Sequence, residues 1–250
     1  MTEGEIRLLL ILFGVAFLPS LAFLMWIRST DRISRERWSP LLRTFFFGAI
    51  FAVVIALALE MAATAFMTHA LVREYELLTD DPTLLSFLLV VVIAPVFEEL
   101  AKASGVARAR GAMGRAQSGL VFGAAAGLGF AATENLLYES SALFEGGVQS
   151  FILVATIRSL SSALMHASAT AVSGYGIGRG VFEKRSWIPF YLLAVIMHSS
   201  FNLFASFGMI FEEELGPWAS TIGLVAAFML VVISVKAVRS KIRSRPSTAS

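Results

Sequence analysis

The feature that most constrains this chain is a series of long, predominantly apolar blocks, several of them roughly 18 residues or longer. Blocks of this length match the roughly 20-residue helix that crosses a lipid bilayer. Apolar residues make up 57% of the 250 residues and charged residues only 15%, so a soluble fold could not bury the apolar surface. The sequence therefore predicts an all-α, polytopic transmembrane helix bundle, with residues 1–250 forming a single transmembrane domain.

Hydropathy along the chain predicts about seven membrane-spanning helices. The first is expected to be retained rather than cleaved as a signal peptide, because no small-x-small cleavage site precedes Trp26. The predicted spans are Glu5–Ile27, Thr44–Ala70, Thr83–Val106, Gln117–Tyr138, Gln149–Ile177, Trp187–Phe207 and Trp218–Val238.

The charged residues alternate between the two sets of loops that these spans create. Four segments hold 16 of the 20 Lys and Arg residues, and the loops between them hold mostly acidic residues, including Glu139 and Glu145. By the positive-inside rule, the N-terminus lies outside and the C-terminus in the cytoplasm. This distribution indicates a lipid bilayer as partner and no nucleic acid. The basic segments are Arg28–Arg43, Ala107–Ala116, Gly178–Ser186 and the tail from Lys236.

Six charged side chains remain inside the predicted spans. A charge at the centre of a spanning helix costs about 2.5–3.5 kcal/mol on insertion scales. Such residues usually face a protein interior and serve a pathway, a relay or a reaction. They are Glu60, Glu98, Glu99, Lys102, Glu134 and Arg158.

Two adjacent glutamates interrupt the third predicted span. Glu98 and Lys102 lie one helical turn apart on one face, and Glu99 is close to Lys102 as well. Since one lysine pairs well with only one carboxylate, we expect one carboxyl to be ionised and the other to hold a proton, which gives a base and an acid within one turn. Pro95 favours a kink just before the pair. An ion-paired contact between neighbouring helices is the structural alternative.

The fourth predicted span begins with small residues and ends in a polar pair. The run from Gly119 to Gly129 permits close helix approach in lipid and is interpreted as packing. Glu134 and Asn135 need hydrogen-bond partners that lipid cannot supply. Arg158 in the next span is the expected partner of Glu134, and a structural ion pair and a catalytic role both remain open.

Two histidines lie near the middle of the fifth and sixth predicted spans. His198 and Asn202, four residues apart, share a helix face and could stabilise an oxyanion by donating hydrogen bonds. Hydrolysis by glutamate-activated water is the most economical chemistry. Glu98 would take the proton, and His166 or Glu134 would orient the water or protonate the leaving amine. A single interior histidine is more often structural, but polar clusters on four consecutive spans favour a reaction centre.

The same groups also suit zinc, since imidazole and carboxylate ligands bind that metal. The candidate ligands are Glu98, Glu99, His166 and His198. The chain has no His-Glu-x-x-His motif, and it has no cysteine, which excludes thiolate metal sites and cysteine nucleophiles. We therefore expect no cofactor, with a glutamic mechanism favoured over a metal-dependent one and zinc left open.

These motifs together resemble those of the PrsW-type intramembrane proteases, which are grouped with a wider clan of prenyl-protein proteases and bacteriocin-processing enzymes. The resemblance covers roughly Ser86–Phe207, within a catalytic core expected at about 83–207. It rests on four motifs in order, which are Glu98-Glu99-x-x-Lys102, Phe130-Ala131-x-x-Glu134-Asn135, Arg158 followed by His166, and His198-x-x-x-Asn202.

The resemblance implies a multi-pass endopeptidase of a bacterial plasma membrane, acting on a membrane-anchored protein that in some relatives is an anti-sigma factor. It implies that Glu98, Glu99 and His198 are the least dispensable residues. Relatives are described both as glutamic proteases and as metalloproteases.

Supporting roles are expected for three of the remaining polar residues, Lys102, Asn135 and Arg158. Two positions depart from the wider clan. Glu134 stands where prenyl-protein proteases carry a histidine, and Lys102 stands where the clan often has arginine. The role of that histidine is therefore not transferred to Glu134.

Two other classes of function are compatible with intramembrane carboxylates. A proton-coupled transporter would use them as a relay, but such proteins usually show repeated halves, and the sequence shows no internal repeat. A non-catalytic scaffold or immunity-type protein would use the same polar clusters for packing. A protease requires the clusters to meet in one water-accessible cavity.

The loop charges generate a test of topology. Reporter fusions made after Ser39 and after Arg239 are both expected to give a cytoplasmic signal, because each position lies within a segment rich in Lys or Arg. An outward-facing signal at either position would contradict the predicted number of spans.

Overall fold

The structure is a computed structural model that describes residues 2–71 and 82–244. Within those two ranges the regular structure is entirely helical, which confirms an all-α bundle. In chain order the α-helices are α1 (Glu3–Thr30), α2 (Trp38–Phe46), α3 (Val53–Phe66), α4 (Pro82–Leu88), α5 (Ala94–Arg108), α6 (Ser118–Leu160), α7 (Ser162–Glu183), α8 (Ile188–Ala205), α9 (Phe207–Leu215) and α10 (Trp218–Arg243). Three π-helical turns, Phe47–Ala52, Met67–Leu71 and Leu89–Ile93, and a 3₁₀ turn, Arg110–Ala112, complete the described elements.

Six helical stretches in the described part of the chain are long and apolar enough to cross a membrane. Every predicted span overlaps one of these stretches, and the fourth and fifth predicted spans both fall in the longest. The protein is thus a polytopic helix bundle, whereas the count of seven spans and the orientation stay predictions. The acidic loop residues at 74–81 lie outside the described residues. The six stretches are Glu3–Thr30, Trp38–His69, Leu84–Arg108, Ser118–Glu183, Ile188–Ala205 and Trp218–Arg243.

The longest stretch folds back on itself, because Gly147 adopts φ 74° and ψ −168° inside α6. The first arm of α6, residues 118–146, packs antiparallel against α7. Residues later in this arm face residues earlier in α7. At three glycines of this arm an added Cβ would overlap the backbone of α7, and at Gly129 it would overlap the backbone of Phe45 in α2. The small-residue run is therefore a packing surface, as predicted. The facing pairs are Gly119 with Gly174, Gly123 with Thr170, and Gly127 with His166.

The helical arm of α6 extends further than the sequence predicted. Glu139 was expected in an outer loop, but it lies inside α6 and is completely buried. The reason is that the chain offers no helix-breaking residue after Tyr138 until the Gly146-Gly147 pair, where glycine permits a positive φ.

A buried ion pair ties three distant segments together at the basic end of the bundle. The Arg115 guanidinium lies 2.8 Å from Asp31, whose side chain is completely buried. Arg115 also donates hydrogen bonds to the backbone carbonyls of Ile242 (3.0 Å) and Ser244 (3.2 Å) at the end of α10. The segment after α1, the segment before α6 and the end of α10 therefore share one anchor.

This anchor generates a stability prediction. Replacing Arg115 by methionine leaves the Asp31 carboxylate buried without its cation, so the free energy of unfolding should fall by about 3–5 kcal/mol. Arg7 is the matched control, because its ion pair with Glu3 is largely exposed and Arg7→Met should change stability little. Unfolding of both variants in detergent micelles checks the difference. Equal losses in the free energy of unfolding for the two substitutions would contradict a stabilising role of the buried Arg115–Asp31 pair.

Candidate active site

Four helices bring the predicted polar clusters together. Helix α5 supplies Glu98, Glu99 and Lys102, α6 supplies Glu134, α7 supplies His166, and α8 supplies His198. The two imidazole rings lie with centroids 4.7 Å apart. The clusters therefore form one centre, although they are spread over about 100 residues of sequence.

Lys102 is the central residue of this centre and is completely buried. Its Nζ lies 2.6 Å from Glu99 Oε1 and 3.3 Å from Glu98 Oε2, so both glutamates contact it within one turn, and which of the two carboxyls is ionised stays a prediction. It also lies 3.0 Å from His166 Nδ1. An ammonium group has three N–H donors and no acceptor, so these contacts account for all its protons and make His166 Nδ1 an acceptor.

The two adjacent glutamates differ in their surroundings. Both oxygens of Glu99 are engaged. Oε1 lies near Lys102 and 3.2 Å from His198 Nδ1, and Oε2 accepts a hydrogen bond of 2.9 Å from the Thr170 hydroxyl. Glu98 lines the central cavity, and within the described residues its one hydrogen bond comes from Lys102 to Oε2. Glu98 is therefore the glutamate that a substrate can reach.

Glu134 and Arg158 form the predicted ion pair, with 2.8 Å between Arg158 Nη2 and Glu134 Oε2. Arg158 Nε donates a hydrogen bond of 2.9 Å to Asn135 Oδ1, and Nη2 donates one of 3.2 Å to the Ser162 hydroxyl. The same Glu134 oxygen lies 2.8 Å from His166 Nε2. Since Nδ1 of this ring is an acceptor, a neutral His166 carries its proton on Nε2 and donates it to Glu134.

His198 and Asn202 lie on one helix but contact different partners. His198 Nδ1 donates to Glu99, so a neutral His198 directs the lone pair of Nε2 towards Glu98, whose Oε2 is 3.9 Å away. The Asn202 amide donates a hydrogen bond of 2.9 Å to the carbonyl of Val90, in the π-helical turn before α5. Among the described residues no hydrogen bond joins Asn202 to His198, and an oxyanion role for this pair stays a prediction.

A cavity of about 450 Å³ opens beside the reactive groups. Its wall combines apolar side chains from four helices with carboxylate, guanidinium, imidazole and amide groups. The polar side chains that line it are Glu60, Glu98, Glu134, Tyr138, Arg158, Ser162, His166, Asn202 and Ser206.

Thr170 and Glu60 are site residues whose roles the sequence did not indicate. Thr170 lies four residues after His166 and therefore on the same face of α7, which is the only signal that could have identified it. Glu60 was recognised as a charge inside a span, but no spacing connects it with the third to sixth predicted spans.

Three side chains of the centre fit a divalent metal ion. Glu98, His166 and His198 each offer one ligand atom, and these atoms lie within 4.8 Å of one another. The set of one carboxylate and two imidazoles is a known catalytic zinc site. In each imidazole the nitrogen that does not face the ion carries the N–H and donates it to a carboxylate, Glu134 for His166 and Glu99 for His198. Metal-binding histidines generally have such a partner.

Glu99 does not belong to the metal-binding group, although the sequence made it a candidate ligand. Its oxygens are already engaged by Lys102, His198 and Thr170. Metal binding at His166 would require the Lys102 ammonium to leave Nδ1, from which it is 3.0 Å away.

A family model described as PrsW family intramembrane metalloprotease matches residues 36–235. No curated protein and no solved structure matches the chain. The match contains all four motifs and every residue of the centre described above, and it spans well over half of the 250 residues. The chain therefore belongs to the PrsW family of intramembrane proteases.

Proposed function

We propose that this protein is an endopeptidase that cleaves a membrane-anchored protein at the cavity beside Glu98, His166 and His198. Placement inside a membrane-spanning bundle supports a substrate that reaches the cavity from the bilayer. By family resemblance, the proposed setting is a bacterial plasma membrane and the proposed substrate class includes anti-sigma factors.

The direction of the two imidazole lone pairs supports a metal-dependent form of this activity. His166 gives its N–H to Glu134 and His198 gives its N–H to Glu99, so in the neutral rings the unprotonated nitrogens are His166 Nδ1 and His198 Nε2, each 3.9 Å from Glu98 Oε2. The lone pair of His166 Nδ1 becomes available to an ion once the Lys102 ammonium leaves it. An oxyanion site needs donors at these positions, whereas a metal ion needs lone pairs. Glu98, His166 and His198 would hold the ion, which as zinc would supply Lewis-acid polarisation of the peptide carbonyl and lower the pKa of a bound water.

The remaining charged residues of the centre orient the histidines and Glu134. Glu98 is a ligand only in the metal-dependent form; in the metal-free form its Oε1 is the atom proposed to take a proton from the attacking water and to deliver it to the leaving amine, since Oε2 faces Lys102. Glu99 and Glu134 fix the tautomers of the histidines. Arg158 neutralises Glu134 inside the bundle and holds it in place.

A metal-free glutamic mechanism is the second candidate, and the position of Lys102 favours it. The ammonium already engages His166 Nδ1 and contacts both glutamates. In that mechanism Glu98 activates water directly, and His198 would need a second proton before it could donate to an oxyanion.

Proteolysis by the purified protein tests the proposed activity. In liposomes, Glu98→Gln should lower the rate of cleavage of a single-span substrate by about 10²–10⁴, the range for loss of a general base, and in the metal-dependent form it also removes a ligand of the ion. Glu99→Gln removes the orienting carboxylate of His198 and should cost about 10–100-fold. Glu145→Gln is the matched control, because Glu145 is exposed and bonded only to Ser141 among the described residues.

The contrary outcomes are distinct. Undiminished cleavage by Glu98→Gln would remove Glu98 from the reaction. Ion-driven uptake of a solute without proteolysis would favour the transporter. Absence of both proteolysis and solute uptake in the wild type and in every variant would favour the non-catalytic scaffold.

Metal analysis separates the two mechanisms. Purified active protein should contain about one equivalent of zinc, and chelation should abolish cleavage in a way that added zinc restores. His198→Ala and His166→Ala should each lose the metal, whereas Asn202→Ala should retain it because Asn202 is bonded to Val90. Full activity of metal-free protein would contradict the metal-dependent mechanism and support the glutamic one.

A further inference from the structure

Glu60 is a carboxylate of the cavity wall that the proposed chemistry does not use. It lies on α3, facing the same cavity as Glu98, Glu134 and Arg158. Its side chain is half-buried, within a stretch long and apolar enough to cross the membrane. A carboxylate in such a position usually has a functional partner.

The other two carboxylates of the cavity wall each have a cation close by. Glu98 lies 3.3 Å from Lys102, and Glu134 lies 2.8 Å from Arg158. No described residue forms a hydrogen bond with Glu60 or places a cation within 4 Å of it. Glu60 is therefore the acidic group of this wall that lacks a counter-charge within the described part of the chain.

Among the described residues, Arg158 is the arginine or lysine that lines the cavity with Glu60, and its guanidinium is bonded to other groups. Its guanidinium donates to Glu134, Asn135 and Ser162. It also lies 3.9 Å from the centroid of the Tyr138 ring. Moving Arg158 to Glu60 would break these contacts and leave Glu134 without its cation.

The face of α3 that lines the cavity is apolar over two turns and then carries the Glu60 carboxylate. Val53, Ala56, Leu57 and Glu60 follow the three- and four-residue spacing of one helix face, and all four line the cavity. An apolar peptide lying along this face would meet aliphatic contacts over two turns and then the carboxylate. The complementary group on such a peptide is a cation.

We propose that Glu60 is a specificity-determining residue that receives a lysine or arginine side chain of the substrate. This inference rests on the proposed function, because it assigns a ligand to the cavity in which cleavage takes place. The substrate cation supplies the counter-charge that the chain itself does not provide. Substrates with a basic residue at the matching position are then selected over substrates with a neutral one.

The test uses the full-length protein in liposomes and synthetic single-span peptides with about 20 apolar residues. The peptides are identical except for one residue, which is lysine, glutamine or glutamate and is scanned along the span. At the position that meets Glu60, the wild type should cleave the lysine peptide with a kcat/KM at least about 10-fold above that of the glutamine peptide. Glu60→Gln should reduce this ratio to about 1, whereas Glu213→Gln, an exposed glutamate outside the cavity, should leave it unchanged.

Charge reversal distinguishes recognition from a structural role. Glu60→Lys should prefer the glutamate peptide over the lysine peptide, an inversion that mere destabilisation would not produce. A lysine-to-glutamine ratio near 1 at every position of the wild type, or a ratio that Glu60→Gln does not change, would overturn the proposal while leaving the protease function intact.

Peptide binding to the Glu98→Gln variant makes the test independent of cleavage. The lysine peptide should bind at least about 10-fold more tightly than the glutamine peptide, and adding Glu60→Gln should remove the difference. Selective binding without cleavage by the wild type would support the role of Glu60 and contradict the protease function. Equal binding of both peptides would overturn the role of Glu60.

Discussion

The buried ammonium of Lys102 is the interaction on which the polar centre of the bundle depends. Its three donors meet Glu98, Glu99 and His166, and so join α5 to α7. Without it, two adjacent carboxylates would lie in a low-dielectric interior with no cation between them, an arrangement that strongly destabilises a buried cluster. The same three contacts determine the state of His166, whose Nδ1 must accept and whose Nε2–H is then directed to Glu134. The counter-charge of the glutamate pair and the tautomer of His166 therefore depend on one side chain.

Helix packing determines where that centre can form. Gly127 of α6 lies against the backbone of His166, so the two helices approach as closely as their backbones allow. This approach places Glu134, seven residues and about two turns further along α6, beside the His166 ring. A larger residue at position 127 would separate the helices and lengthen the contact between His166 and its carboxylate. The small-residue stripe is structural, but the geometry of the polar centre depends on it.

The sequence predicted the features that depend on short-range helical geometry. The spacing of Glu98, Glu99 and Lys102 was enough to predict their pairing, and charge complementarity was enough to pair Arg158 with Glu134. Features that depend on packing between helices were not predictable from one sequence. The partner of Asn202 is the carbonyl of Val90, which lies on a different element, the π-helical turn Leu89–Ile93.

The different surroundings of the two glutamates also depend on packing between helices and were not predictable from the sequence. Helix geometry explains why two adjacent glutamates can face different neighbours. Consecutive residues differ in direction by about 100° around a helix, so side chains of adjacent residues face different neighbours. Glu98 faces the cavity, while Glu99 faces Thr170 and His198 in the interior. Carboxylates three or four residues apart would instead share one face and compete for the same partners. Adjacency therefore allows Lys102 to contact both carboxylates while only one of them lines the cavity.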